Sequence, residues 1–202
     1  MLTGLMDRDL RAPGVGAFRT HKINSKDPKI QKILDEVKGR EFSGYSYDGA
    51  DASFELLANR LLGKVPEYLK VKSYNVSVAK SDTIKTKANV IFLIDGKNIE
   101  CNGEGNGPVN ALDNAIRSNF KKVEKYYNFF SDLKLLDYKV RILNTGTEAT
   151  TRVLIESTDK TGISWFTVGV SPNIIEASFK ALIDSLDYKL YKEKAPANLN
   201  EK

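Results

Sequence analysis

The sequence predicts an α+β fold built by internal duplication of a βββα module, with antiparallel sheets covered by helices. Apolar residues alternate along three segments of each half, which is typical of half-buried strands. A segment with apolar residues at helical spacing follows each set of three. The two halves superimpose, because Tyr74 falls on Tyr138 and Pro108 on Pro172, each pair 64 residues apart. A short helical subdomain is predicted in front of the duplicate.

Two helices are predicted in a helical linker subdomain at residues 27–70, after an unassigned tail or linker at residues 1–26. Asp27 is placed to cap the first helix, Pro28 to occupy its first position and Gly39 to end it. The predicted apolar stripes are Ile30, Ile33, Leu34 and Val37 in the first helix, and Phe54, Leu57, Leu61 and Leu62, between Gly49 and Gly63, in the second.

The first module is assigned to residues 71–122. One strand is followed by two strands joined at the turn Asp95-Gly96, and a helix begins near Val109. A long charged connector then leads to the second module. The predicted apolar positions are Val71, Tyr74, Val76 and Val78 in the first strand, and Leu112, Ala115, Ile116 and Phe120 in the helix.

The second module is assigned to residues 135–191 and is followed by a C-terminal tail at residues 192–202. Its second and third strands flank a turn at Asp159 to Gly162. Leu112 falls on Ser178, 66 residues apart, so the offset between the copies drifts by two. The predicted apolar faces are Leu136, Tyr138, Val140 and Ile142 in the first strand, and Ile175, Ser178, Leu182 and Leu186 in the helix.

The composition is that of a soluble globular protein, with 41% hydrophobic and 28% charged residues in 202. No apolar run reaches the ~20 residues of a membrane helix, and the N-terminus mixes acids and bases too early for a secretory signal. A cytoplasmic location is therefore expected. The net charge of +5 raises the possibility of nucleic-acid binding, but the basic residues are scattered among acids, which favours a solvated surface.

Catalytic and metal chemistry has few candidate residues. Cys101 is the single cysteine, so an internal disulfide and a cysteine-rich zinc site are excluded, and a half-buried strand position is expected for it. His21 is the single histidine and lies in a polar segment. No GxSxG elbow is present. The sequence predicts no catalytic residue, no metal site and no cofactor in this chain.

The run GEGNGPVNALDNAI, residues 103–116, brings three glycines to the start of a helix. A dinucleotide fingerprint is excluded by context, because a hairpin precedes the run and a charged connector follows the helix. Two explanations remain open from the residues alone. Missing Cβ atoms allow close approach of another backbone or a small ligand, or the turn requires positive φ angles.

The runs GEGNGPVNALDNAI, DYKVRILNTGTEATTRVLIES and TVGVSPNIIEASFKALIDSLDYKL resemble the C-terminal regulatory domain of the isopropylmalate synthase family, in its citramalate synthase branch. EFSGYSYDGADASFELLANR resembles the helical segment before that domain. The resemblance covers about residues 28–191. It implies that residues 71–191 form a dimeric allosteric domain that binds a branched-chain amino acid as feedback inhibitor, leucine in isopropylmalate synthases and isoleucine in citramalate synthases.

In that family, an N-terminal β/α barrel condenses acetyl-CoA with a 2-keto acid, with a divalent metal held by an Asp and a His-x-His pair. One histidine cannot supply that pair, and a barrel needs about 250 residues. The resemblance therefore implies a regulatory part of an acyltransferase, without turnover of its own, whose partners are a second copy, a catalytic barrel and isoleucine.

The resemblance also implies the effector site, between the modules near the dimer interface. The matching positions are Gly105, Gly107, Val109, Asn110, Leu135, Tyr138, Ile142, Val153, Pro172 and Ile174. At Asn110 some relatives carry an acidic residue suited to an ammonium group. Core packing alone would explain Tyr138, Ile142 and Val153. The alternative function is a basic RNA-associated or scaffold dimerisation module, and an enzyme ranks third.

Overall fold

The computed structural model of the chain describes residues 28–80, 83–120, 123–144, 146 and 149–199. The predicted tail at residues 1–26, His21 and the predicted cap Asp27 lie outside these residues. The elements run in the order α1 (Pro28–Phe42), α2 (Asp51–Leu61), β1 (Lys70–Lys80), β2 (Ile84–Ile94), β3 (Lys97–Gly105), α3 (Pro108–Asn119), α4 (Glu124–Phe130), β4 (Lys134–Ile142), β5 (Thr151–Thr158), β6 (Ser164–Ser171) and α5 (Ile174–Lys192).

Two three-stranded antiparallel sheets form, β1-β2-β3 (sheet A) and β4-β5-β6 (sheet B). The α+β fold and the duplicated βββα module are thereby confirmed. The turn Asp95-Gly96 joins β2 to β3 with φ angles of 48° and 73°, the left-handed conformation that a two-residue hairpin requires.

The duplication extends to an irregularity in the first strand of each module. The pairing skips Lys72 in β1 and Leu136 in β4, two positions 64 residues apart. Leu135 lies opposite the buried Ser157, whereas Leu136 is exposed. The predicted alternation through Leu136 is therefore wrong, because the bulge shifts the strand register by one residue before Tyr138.

Each module helix packs closely on its own sheet at a glycine. A Cβ on Gly103 would collide with the backbone of Ala115, and one on Gly169 would lie 2.8 Å from the backbone nitrogen of Ala181. Both pairs of positions are 66 residues apart. In this alignment the equivalent of Pro108 is Ile174.

The superposition of Pro108 on Pro172 is thus wrong as a structural equivalence. Pro108 is the first residue of α3, whereas Pro172 precedes Asn173, the residue that caps α5. The separation between equivalent residues of the two modules increases from 64 in the first strand to 66 before the start of the helix.

The modules share one hydrophobic core. The ring of Tyr74 on β1 lies 4.3 Å from that of Phe179 on α5, which joins sheet A to the second helix. Cys101 is fully buried rather than half-buried, because it faces α3 from the central region of β3. The helix faces are confirmed as buried at Leu112, Ala115, Ile116, Phe120, Ser178, Leu182 and Leu186.

The two N-terminal helices form as predicted but differ in detail. α1 continues through Gly39 to Phe42, since Gly39 is exposed and nothing presses on its face. In α2, Phe54 is exposed and Leu56 is fully buried, so the predicted stripe is displaced. The displacement arises because α2 packs against both α5 and β6.

The segment before α2 covers the outer face of sheet B. Ala50, Val168 and Val170 are buried together there, with Tyr45 and Tyr47 packed beside them. β6 is consequently buried on both faces, continuously from Thr167 to Ser171.

Two segments without predicted structure complete the core. The charged connector contains the short helix α4, whose Tyr126 and Phe130 are buried. Residues 193–199 cross to the first module, where the side chain of Asn198 bonds the β2–β3 turn at Leu93 and Asp95. None of the helices in the described part of the chain is long and apolar enough to span a membrane.

Candidate functional site

The three glycines at the start of α3 have different surroundings. A Cβ on Gly105 would lie 2.6 Å from the backbone nitrogen of Ala111, so Gly105, like Gly103, permits close approach of the helix. Gly107 has nothing within 4 Å of the position of a Cβ. Its φ of −165° is extended, and neither Gly103 nor Gly105 has a positive φ. The positive-φ explanation is therefore wrong, and a packing requirement accounts for two of the three glycines.

The first turn of α3 is arranged by Asn110. Its Oδ1 accepts a hydrogen bond from the backbone N–H of Asn106, at 3.1 Å, which holds the loop over the helix start. Gly107 is the N-cap and, among the described side chains, none caps it. The backbone N–H of Val109 therefore has no side-chain acceptor of the kind a capped helix provides.

At the second strand-to-helix junction, between β6 and α5, polar side chains occupy positions where the junction before α3 has glycines. Asn173 caps α5 by accepting hydrogen bonds from the N–H groups of Ile175 and Glu176, at 2.8 and 3.3 Å. The Oγ of Ser171 donates to Glu176 at 2.7 Å and, together with the adjacent Lys180, holds the pKa of that carboxyl below its usual range. In the 66-residue alignment, Ser171 replaces Gly105 and Asn173 replaces Gly107.

Four predicted residues lie on the face of sheet B that α5 covers. Tyr138 is paired with Ile155, and Val153 with Val140. Val153, on the central strand β5, is fully buried, whereas Ile142, on the edge strand β4, is 67% exposed. Leu135 is half-buried at the other end of the strand. Tyr138, Ile142 and Val153 form an apolar wall that is partly open to solvent, whereas Leu135, opposite Ser157, is separate from it.

A chain of hydrogen bonds connects this wall to the start of α5. The hydroxyl of Tyr138 lies 2.8 Å from Oγ of Ser178, and that Oγ lies 2.6 Å from the carbonyl oxygen of Ile174. A serine hydroxyl has one proton, and a carbonyl can only accept. Ser178 therefore donates to Ile174, and Tyr138 donates to Ser178.

Sequence reasoning placed Ser178 on the buried helix face but did not include it in the site. The signal was its polarity at a position where the first copy has Leu112. A buried hydroxyl in an apolar stripe requires partners, and here they are the carbonyl oxygen of Ile174 and the hydroxyl of Tyr138.

The structure thus arranges nine of the ten predicted residues in two groups, one at each strand-to-helix junction. Gly105, Gly107, Val109 and Asn110 lie at the start of α3. Tyr138, Ile142, Val153, Pro172 and Ile174 lie around the start of α5, and Leu135, at the other end of β4, belongs to neither group. Two surface depressions, of about 720 and 520 Å³, are lined by other residues. Ile174 is 46% exposed, so the second group is an open surface in the isolated chain. No cluster of metal-ligating side chains occurs among the residues with assigned positions.

Two ionic clusters lie away from this surface. The fully buried Lys189 bonds Asp159 at 2.8 Å and Glu193 at 2.6 Å, and holds the pKa of Asp159 well below its usual range against the effect of burial. Arg60 on α2 bonds Asp184 and Asp187 on α5. Burial raises the pKa of Asp187 to about 7, despite Arg60. Lys189 also pairs with Asp132 of the connector at 3.2 Å, so these clusters join α2 and the connector to α5.

Residues 48–190 match the family described as the LeuA allosteric (dimerisation) domain. The match includes α2, both modules and nearly all of α5. The chain belongs to this family.

This LeuA dimerisation domain is 47% identical over 176 residues to an (R)-citramalate synthase of Geobacter sulfurreducens, which covers 85% of the chain and 33% of the relative. It is 45% identical over 177 residues to the (R)-citramalate synthase of Aquifex aeolicus, with coverage of 85% and 33%. A 2-isopropylmalate synthase of Clostridium acetobutylicum is 33% identical over 136 residues, covering 66% of the chain and 22% of that enzyme. The chain spans about a third of the length of the citramalate synthases it matches.

Proposed function

We propose that this LeuA dimerisation domain is the feedback sensor of a citramalate synthase and binds a branched-chain amino acid, with isoleucine preferred. The observation that carries the proposal is the open apolar surface around Tyr138 and Ile174, fixed by a hydrogen-bonded chain through Ser178. Similarity to citramalate synthases over 85% of the chain supports the choice of isoleucine.

The chemistry of the two junctions suits the two ends of an amino acid. The apolar wall of Tyr138, Ile142 and Val153 suits a branched aliphatic side chain. The uncapped first turn of α3, at Val109, suits a carboxylate, since free backbone N–H groups and the helix dipole both favour an anion. Gly107 leaves that approach free of a side chain.

A homodimer supplies the missing cover for this surface. Both sheets leave apolar side chains exposed on their helix-facing sides, at equivalent ends of β1 and β4. Val78 and Ile142, 64 residues apart, are 57% and 67% exposed. A two-fold partner would bury these ends symmetrically, as an isologous interface requires. The exposed residues are Val78, Ile84, Val140, Ile142 and Ile174.

Regulation follows from differential binding. An effector that binds one arrangement of the two modules better than another shifts the population toward it. The catalytic barrel on which this shift would act belongs to the remaining two-thirds of a full-length synthase. The chain itself has no turnover in this proposal, and its contribution to the acyl transfer is inhibitory control.

Two measurements on the 202-residue chain test the proposal. Titration calorimetry with isoleucine, leucine and valine should show binding, tightest for isoleucine. Light scattering at tens of micromolar should give twice the mass of one chain. Absence of binding by all three amino acids at millimolar concentration would overturn the sensor function. A monomer mass would overturn the proposal that a second copy covers the effector site.

A further inference from the structure

We propose that Ser178 is a positioning residue of the effector site, which fixes the ring of Tyr138 and thereby sets the shape of the apolar wall. The inference rests on the proposed function, because it assigns a role within the same site. Ser178 is fully buried and contacts the wall through the hydroxyl of Tyr138.

The direction of the hydrogen bonds makes this arrangement specific. The proton of Ser178 is committed to the carbonyl oxygen of Ile174 at 2.6 Å, so its Oγ is left as an acceptor. The O–H of Tyr138 is then the donor, at 2.8 Å. A tyrosine held at its hydroxyl and packed along its ring has one orientation, whereas packing alone would leave the ring free to tilt.

The first module shows what happens without such a serine. Its equivalent tyrosine, Tyr74, faces a helix that has the apolar Leu112 at the corresponding position. Tyr74 packs instead on Phe179, with ring centroids 4.3 Å apart. Tyr74 and Tyr138 therefore contact adjacent residues of α5, Tyr74 through its ring and Tyr138 through its hydroxyl. The residues they contact are Phe179 and Ser178, respectively.

The test compares two buried serines of the same helix. Ser178→Ala removes the acceptor for Tyr138, and Ser185→Ala removes a comparable buried pair of bonds, to Trp165 and Ser157, two turns away. By loss of one hydrogen bond, Ser178→Ala should weaken isoleucine binding about five- to tenfold. Ser185→Ala should lower the unfolding midpoint and leave the isoleucine Kd unchanged.

A double-mutant cycle distinguishes positioning of Tyr138 by Ser178 from a general loss of stability. Tyr138→Phe removes the same hydrogen bond from its other end, so the variant with both changes should bind no more weakly than either single variant. The preference for isoleucine over leucine should decrease in all three. These results would establish Ser178 as a positioning residue.

Other outcomes contradict the inference in distinguishable ways. Equal loss of affinity in Ser178→Ala and Ser185→Ala, or additive effects with Tyr138→Phe, would show that Ser178 acts only through stability. If Ser178→Ala does not fold, Tyr138→Phe decides alone: a weakened Kd supports the inference, and an unchanged Kd overturns it. If the unaltered chain binds no isoleucine, the proposed function fails first, and the role of Ser178 fails with it.

Discussion

Tyr74 of the first module and Phe179 of the second are in ring contact, 4.3 Å apart and tilted by 31°. One turn of α5 is thereby contacted from both sheets, by Tyr74 at Phe179 and by Tyr138 at Ser178. The arrangement explains why the modules share a single core. It also makes α5 the element on which both halves of the duplicate depend.

The first prediction concerns this contact. Phe179→Ala should destabilise the chain by about 3–5 kcal/mol, because it opens a cavity beneath Tyr74 where the modules meet. Thermal unfolding followed by circular dichroism measures the effect. Tyr127→Ala serves as the control, since Tyr127 is an aromatic residue with an exposed ring and should change the midpoint little. Equal midpoints for the two variants would show that the Tyr74–Phe179 contact does not join the modules.

The second prediction concerns pH and Asp187. Burial raises its folded-state pKa to about 7, from an ordinary value of 3.8. The folded state therefore binds more protons than the unfolded state between these values, so this group's contribution to stability is present below pH 3.8 and is lost as pH rises through 7. Asp187→Asn removes the ionisation, and its unfolding midpoint relative to the unaltered chain should increase from pH 4 to pH 8.

Thr167→Val provides the control for that experiment. Thr167 is fully buried under the same helix, where its hydroxyl donates to the carbonyl oxygen of Ala181 at 2.8 Å, and it has no ionisable group. The unfolding midpoint of this variant relative to the unaltered chain should stay constant from pH 4 to pH 8. A relative midpoint for Asp187→Asn that stays constant from pH 4 to pH 8 would contradict a raised pKa.

The third prediction concerns the C-terminal segment. Asn198→Ala should cost about 1–3 kcal/mol, because the N–H of Asp95 and the carbonyl of Leu93 lose their side-chain partner in a partly buried turn. Asn89→Ala also removes an amide with two hydrogen bonds, to Glu100 and Asn102, but on a solvent-exposed face. Urea unfolding should therefore separate the two variants. Similar midpoints would mean that residues 193–199 do not stabilise the first module.

The duplication was predictable because each copy repeats the same periodicities, and the β2–β3 turn because Asp-Gly favours the left-handed angles it adopts. The bulge at Leu136 was not predictable, since an unpaired residue leaves no mark in an otherwise alternating strand. The buried face of α2 was also missed. Leu56 rather than Phe54 is buried there because α5 and β6, far along the chain, determine which side is covered.

The candidate site was predictable to a lesser extent. Resemblance selected Tyr138 and Ile174, and the structure connects them through Ser178. Resemblance also selected Gly105, for which the structure gives a packing reason in the backbone of Ala111. A sequence cannot distinguish these reasons, because a missing Cβ looks the same whether a helix or a ligand occupies the space.

The last prediction separates the glycines by experiment. Gly103→Ala and Gly105→Ala should each cost about 1–3 kcal/mol or more, since the added methyl group meets the backbone of α3, which cannot shift without leaving the sheet. Gly107→Ala should cost less, about 0.5–1 kcal/mol, because alanine is a poorer N-cap than glycine but its extended φ suits any residue and no atom lies within 4 Å of the new methyl group.

Isoleucine binding then decides the role of Gly107. If the bare N-cap admits the ligand carboxylate to the N–H of Val109, Gly107→Ala should weaken binding measured by calorimetry while the dimer mass persists. Gly162→Ala, at the distant β5–β6 turn, is the control, because Gly162 also has no atom within 4 Å of the position of a Cβ. The φ of 73° at Gly162 makes alanine more strained there than at position 107. A folded Gly107→Ala dimer with unaltered affinity would place the ligand away from α3, leaving the apolar wall of sheet B as its site.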